Sequence, residues 1–336
     1  MYPESVLHEI DEDFKDSIWV LVICYLRANH IARIVEECAR ANMFQILFTI
    51  DGPKNFAEEK LQVVLIETIL DSCKKFGVKY KIDRLTENIG LQANLVSSID
   101  LLFQQAECGI IIEDDLVINR KCLEWMQKKI QRLKEDDNFI ISAHNPFSEE
   151  FESHVILKSN YSLIWGWGTN LENWTVIRKW FLSEKFGLMP SRLNRIDIFW
   201  WYTAYLAVNG FLDSWAAILT YNVRKNRLVV EHPNFHGMEN FGVDEFAVHT
   251  KRSLPPLIIS KGILSDISTK LEPGEYFTTR EIVNTALERS YFKINIKHVL
   301  LPLKLKLIKI RRSRSRSQLS RVLRSPALSH RIWKEI

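Results

Sequence analysis

Apolar runs and amphipathic stretches alternate along the first 140 residues. Residues 18–24, Ile-Trp-Val-Leu-Val-Ile-Cys, are unbroken and rich in β-branched side chains, the mark of a strand buried on both faces. Residues 28–42 follow with Ile31, Ile34, Val35 and Cys38 at helical spacing. Phe44 to Ile50 is a second apolar run, stopped by the turn signal Asp51-Gly52-Pro53. The spacing then predicts a helix over 56–76, a shorter and more polar strand over 78–82, and a helix over 91–103. A buried strand over 108–112, a helix over 116–135 and a strand over 139–142 complete the series. Such alternation predicts an α/β fold, a doubly wound and mostly parallel sheet flanked by helices.

In such a sheet ligands bind beyond the carboxyl ends of the strands. The polar residues here gather at those ends: Arg27 and Asn29, Asp51-Gly52, Arg84 and Asn88, and Glu113-Asp114-Asp115. No glycine-rich loop follows the first strand, which argues against dinucleotide and P-loop sites. After residue 147 the alternation ends, and residues 148–250, rich in Trp, Gly and Asn, read as a mixed α+β half that would form the acceptor side of a cleft. The chain therefore divides into an extension (1–17), a main α/β unit (18–255), a helical segment (256–300, with a helix over 279–289) and a basic tail (301–336).

Composition changes this picture at two points. The net charge of +4 hides a split: the tail holds eleven basic side chains against the single acid Glu335, so residues 1–300 are mildly acidic. The five cysteines are odd in number and lack CxxC spacing, which argues against a disulfide framework or a zinc ribbon. With no signal-peptide pattern at the start and no apolar run of about 20 residues, the expectation is a reducing, cytoplasmic protein.

Three adjacent carboxylates after a buried strand repel one another and raise each other's pKa unless something neutralises them. Mn²⁺ or Mg²⁺ does so through carboxylate and phosphate oxygens. The alternative is an acidic turn at the start of the next helix.

The run Ile-Ile-Ile-Glu-Asp-Asp-Leu-Val-Ile over 110–118 resembles the metal motif of GT-A glycosyltransferases, in the Glu-Asp-Asp form of the N-acetylglucosaminyltransferase I-like family and its bacterial relatives. Four further segments resemble the same enzymes in the same order. They are Asp51-Gly52-Pro53, Asn88-Ile89-Gly90-Leu91 with Asn94, Ile164 to Thr169, and Asn240 to Asp244 running on to His249-Thr250. The resemblance spans residues 18–250 and implies a GT-A, Rossmann-like fold. It implies a metal-dependent transfer, inverting, from a nucleotide-sugar, a UDP-sugar by preference, to a saccharide or glycolipid acceptor. It makes Asp115 and His249 metal ligands, and gives the nucleotide-sugar to Arg27, Asp51, Asn88, Asn94, Glu113, Asp114 and Trp167. Where relatives carry a basic residue for the phosphates, Leu91 and Gln92 stand here, with Arg84 as a substitute.

Several roles have a plain structural alternative. Asp197, before the aromatic run 199–202, is the candidate general base, with Asp213 and Asp244 as rivals; it equally suits a helix cap. His249 serves as ligand or as structural residue. Trp165 and Trp167 form a sugar platform or pack in the core, and Trp200, Trp201 and Tyr205 fit a core face. The tail is a solubilising extension or docks on anionic membrane at its inner face through its basic residues and Leu303, Leu305, Leu307 and Ile308; a membrane-associated acceptor disfavours nucleic acid. Rival functions are a sugar-phosphate nucleotidyltransferase and a non-catalytic binding protein working through the tail.

Overall fold

A computed structural model describes residues 18–133, 135–147, 150–182, 195–210, 212, 214–242 and 284. An eight-stranded sheet forms its centre. The strands are β1 (Ile18–Cys24), β2 (Gln45–Ile50), β3 (Lys79–Arg84), β4 (Cys108–Glu113), β6 (Ile140–Ser142), β7 (Leu157–Ser159), β8 (Trp167–Asn170) and β9 (Val230–His232). Their order is β3-β2-β1-β4-β8-β6-β9-β7. The first four pair in parallel, β8 runs antiparallel between β4 and β6, β9 lies parallel to β6, and β7 closes the edge antiparallel.

The helices are α1 (Ile31–Arg40), α2 (Phe56–Phe76), α3 (Leu91–Leu102), α4 (Arg120–Gln131), α5 (Leu171–Leu182), α6 (Arg195–Val208) and α7 (Trp215–Lys225). Strand alternation sends neighbouring side chains to opposite faces. Val20, Val22 and Cys24 thus join a core with Ile34 and Val35 of α1, Leu65 of α2 and Met126 of α4. Trp19, Leu21 and Ile23 face a second core with Leu95 of α3, Trp174 of α5 and Ile218 of α7. An unbroken apolar strand is what a sheet covered on both faces requires.

The mostly parallel α/β architecture matches the sequence reading, and β1, α1, α2 and α3 fall within a few residues of their predicted places. The helix expected over 116–135 needs correction. Leu116–Ile118 form a short strand, β5, and α4 begins at Arg120 behind the cap Asn119, whose side chain accepts the Cys122 N–H at 3.0 Å. The partner of β5 is β10 (Met238–Asn240), antiparallel and distant in sequence. Leu-Val-Ile suits a strand once a partner is supplied. Of the helix expected over 279–289, Asn284 alone is among the described residues; it is helical, and its side chain accepts the Asn160 backbone N–H and donates to Asn160 Oδ1, both at 2.9 Å. The 256–300 segment is otherwise outside them, as is the basic tail. All five cysteines are free thiols, four of them buried. Among the described residues no helix is long and apolar enough to cross a membrane.

Candidate functional site

The acidic triplet stands at the carboxyl end of β4, in the middle of the sheet. Glu113 is the last residue of β4 and lies opposite Ile23 of β1; the Asp114 N–H extends the ladder to the Ile23 carbonyl at 3.0 Å. The end of β1 supplies the partners. The Tyr25 backbone N–H donates to Asp114 Oδ2 at 2.9 Å. Arg27 Nη1 stands 3.2 Å from Asp114 Oδ1 and 3.3 Å from Asp115 Oδ2.

One guanidinium thus serves two carboxylates, and Glu113 sets a third carboxyl group beside them. Burial, reinforced by the charges of Asp115 and Asp114, pushes the Glu113 carboxyl up to about 8. Burial likewise pushes Asp114 up to about 6, against the pull of the Tyr25 N–H and Arg27. The carboxyl groups of this cluster repel one another. Its oxygens are the hard donors that Mg²⁺ or Mn²⁺ selects.

The antiparallel pair of β5 and β10 builds the wall beside Asp115. Phe241 N–H donates to the Asp115 carbonyl at 2.8 Å, and Gly242 N–H to Asn240 Oδ1 at 2.8 Å. A Cβ on Gly242 would stand 2.4 Å from Asp115 Oδ2, so only glycine lets the backbone pass this close to that oxygen. The Phe241 ring stacks on His30 at 4.2 Å, and Arg33 pairs with Glu239, so the two-stranded sheet is fastened to the start of α1. Among the described residues no three His, Cys, Asp or Glu side chains converge as a complete metal cage. One or two carboxylates with substrate phosphates are the usual complement for Mg²⁺.

Asp51 occupies the next strand end as a loop clamp. Its Oδ1 accepts the Gly52 and Ile89 N–H groups, both at 2.9 Å. Its Oδ2 accepts Gly90 N–H at 2.9 Å and Asn88 Nδ2 at 3.0 Å. Burial pushes this carboxyl upward against those backbone hydrogen bonds. The carboxylate is filled by its own loop, so a contact from it to a nucleotide would have to displace one of these bonds. Asn88 spends its amide on the same knot, donating also to the Gly52 carbonyl at 2.9 Å. Asn94 is buried on the first turn of α3, with its N–H on the Gly90 carbonyl.

Gln62 of α2 escaped the sequence reading. It is fully buried, donates to the Asp51 carbonyl at 2.7 Å and accepts from Arg84 Nε at 3.0 Å. The available signal was a polar residue three and seven positions before the core residues Leu65 and Ile69 of the same helix. The Arg84 head offered as a phosphate substitute is engaged there. Tyr25 was passed over too: its hydroxyl donates to Glu58 Oε2 at 2.6 Å, joining the triplet's anchor to the start of α2.

Other expected residues lie elsewhere. Trp167 is 2% exposed and packs against Trp215 in the core, so its ring offers no open face to a sugar. Trp165 is the half-buried one, edge-on to His144 at 4.9 Å. Asp197 lies in the first turn of α6 and accepts Arg224 Nη2 at 2.8 Å. Arg224 ends α7, which leads into the start of β9, and β9 runs in the direction of β4. Asp197 is therefore held toward the edge of the sheet opposite the triplet, and the structure does not bring the two together. Trp201 stacks on the exposed Tyr205, so the α6 aromatics are only partly core. His249, Asp213 and Asp244 lie outside the described residues.

Beyond the triplet the same edge carries two buried histidines. His232 stands 2.7 Å from Ser159 Oγ through Nε2 and 3.2 Å from the His144 carbonyl through Nδ1. Burial pushes His232 down to about 4 and His144 to about 3, the latter helped by His232 and His236. Both are neutral when folded and take a proton near pH 6.5 when unfolded. Stability that is complete above pH 6.5 is therefore lost as pH falls toward about 4, at up to about 1.4 kcal/mol per pH unit for each group. The raised carboxyls of the triplet act in the opposite sense. In denaturant titrations from pH 7 to 5, His232→Gln should lose less stability on acidification than the parent chain, by about 2 kcal/mol; equal losses would contradict the assignment.

No protein-family model matches the chain, and no curated protein is similar to it. Among solved structures it is similar to a 4-diphosphocytidyl-2C-methyl-D-erythritol synthase from Anaerococcus prevotii DSM 20548, with 10% identity over 54% of this chain and 82% of that one, at a TM-score of 0.32. A likeness this distant assigns no activity.

Proposed function

We propose that the chain is a metal-dependent glycosyltransferase that carries a sugar from a nucleotide-sugar, a UDP-sugar, to a hydroxyl of a saccharide or glycolipid, with inversion. One observation carries the reading: three carboxyl groups stand together at the carboxyl end of a central strand, two of them on one guanidinium, with Gly242 packed close beside Asp115 Oδ2. Asp114 is the scaffold of the site, since Tyr25 and Arg27 already hold both its oxygens. Asp115 is the carboxylate that would hold Mn²⁺ or Mg²⁺, with His249 as the further candidate. Bound there, the ion supplies neutralisation of the charge that builds on a departing nucleoside diphosphate. Glu113, at the end of the strand, would face the donor sugar, and Asn88 and Asn94 border the nucleotide side. The basic tail would bring the enzyme to an anionic membrane that holds its acceptor.

Product analysis tests this. With Mn²⁺ and a panel of nucleotide-sugars, release of a nucleoside diphosphate, with water or added saccharide as acceptor, is the expected result. Pyrophosphate from a nucleoside triphosphate and a sugar phosphate would instead identify a nucleotidyltransferase. No turnover of either kind would turn attention to the tail.

A further inference from the structure

We infer that a cavity at the amino edge of the sheet is a second binding site, one that takes a neutral saccharide residue. The cavity measures about 400 Å³, within the range of small-molecule pockets. It lies before β6 and β9 and after the antiparallel β8, with the start of α5 beside it. The acidic triplet stands at the other end of the same sheet, so the two sites are distinct. Leu133, Phe139, Leu228 and Val229 give the cavity an apolar wall, and Asn138 gives it a polar one. Asn138 is 5% exposed, and its Nδ2 donates to Glu231 Oε2 at 2.5 Å. Glu231 is itself held by Lys129 Nζ at 2.6 Å. A carboxylate only accepts, so the amide cannot turn round. Its Oδ1 is thereby fixed as a buried acceptor with no hydrogen-bond partner among the described residues, and a ligand hydroxyl supplies the donor it lacks.

The rest of the lining selects the ligand. Asn173, whose Nδ2 donates to the Phe139 carbonyl at 3.0 Å, brings a second amide. Arg227 and Asp137 also line the cavity, and both are exposed. Their backbones lie in the left-handed region, at φ 54° and 53°. Arg227 follows the C-cap of α7, where glycine is the usual residue. A guanidinium is thus set on the cavity from a backbone conformation that side chains disfavour. An anion would meet the carboxylates of Asp137 and Glu172, and a bare cation would meet Arg227. A wholly apolar ligand would leave the Asn138 carbonyl stranded. A pyranose ring answers all three: its hydroxyls donate and accept, its C–H face covers the apolar wall, and it carries no charge.

Saturation-transfer NMR on the full chain, without nucleotide or metal, tests this with the methyl glycosides of glucose, galactose, mannose and N-acetylglucosamine. At least one should bind, and its signal should fall at least about threefold in Arg227→Gly and in Asp137→Gly. Glycine suits the left-handed conformation at both positions, so both variants should melt within a few degrees of the parent. A lost signal then reports lost contacts and not lost folding, and either variant suffices should the other fail to fold. A signal from no glycoside, or a signal unchanged in the variants, overturns the inference. A signal abolished by UDP with Mn²⁺ overturns it too, because the sugar would then sit at the carboxyl edge. The main measurement contains no donor and no turnover, so its failure and the failure of the donor-site reading are separate results.

Discussion

Asp115→Ala is expected to abolish Mn²⁺-dependent transfer, with a loss of at least about 1000-fold, equivalent to about 4 kcal/mol of transition-state stabilisation. The same variant should fold at least as well as the parent. Asp115 is one of the charges that hold the Glu113 carboxyl up near 8, so its removal relieves repulsion inside a buried cluster. Asp114→Ala gives the contrasting result. Asp114 is 3% exposed and receives the Tyr25 N–H and the Arg27 guanidinium, so its loss strands a buried donor and breaks a buried ion pair. That variant should lose about 3–5 kcal/mol of stability as well as activity. Melting curves beside Mn²⁺-dependent turnover distinguish the two carboxylates. A stable, active Asp115→Ala would remove Asp115 from the metal role.

The second large effect concerns Asp51. Asp51→Ala should cost about 3–5 kcal/mol, because it leaves the N–H groups of Gly52, Ile89 and Gly90 and the Asn88 amide without their shared acceptor. For a domain of this size the melting temperature should fall by about 10 °C. Asp51→Asn keeps the shape and one acceptor oxygen, and should lose roughly half as much. The two loops are packed so closely that a Cβ at Gly52 would stand 2.2 Å from the Glu87 carbonyl carbon. If Asp51→Ala instead melts like the parent but binds nucleotides poorly, then Asp51 contacts ligand and the loop is held by other means.

Asp51 also shows where sequence reading succeeds and where it stops. Its place after a strand was legible, since an apolar run ending in Asp-Gly-Pro declares a turn at a sheet edge. Its partner loop was not, because nothing in the spacing of 51 and 88–90 says which groups meet. The same division runs through the fold. Strands β1, β2 and β4 are continuous apolar or β-branched segments whose burial is written in their composition, and the polar β3 is a partly exposed edge strand. The β5–β10 pair joins residues 116–118 to 238–240, and three apolar residues before a helix look like its first turn until the partner is known. Trp167 and Asp197 illustrate the limit for the site. An aromatic ring and a carboxylate carry the same chemistry in a core or a salt bridge as in a cleft. What decides is the face of the sheet that β8 gives to Trp167 and the edge that α7 gives to Asp197.

The acidic triplet remains the centre of the account, and the measurement that tests it most directly is a thermal-shift series on the full chain with nucleoside diphosphates and nucleotide-sugars, with and without Mn²⁺. A ligand held by the native state raises the melting temperature by mass action. The account predicts a rise with UDP or UDP-sugars that requires Mn²⁺ and vanishes in Asp115→Ala. A well-folded chain whose melting temperature ignores every nucleotide, or responds equally without the metal, would contradict it.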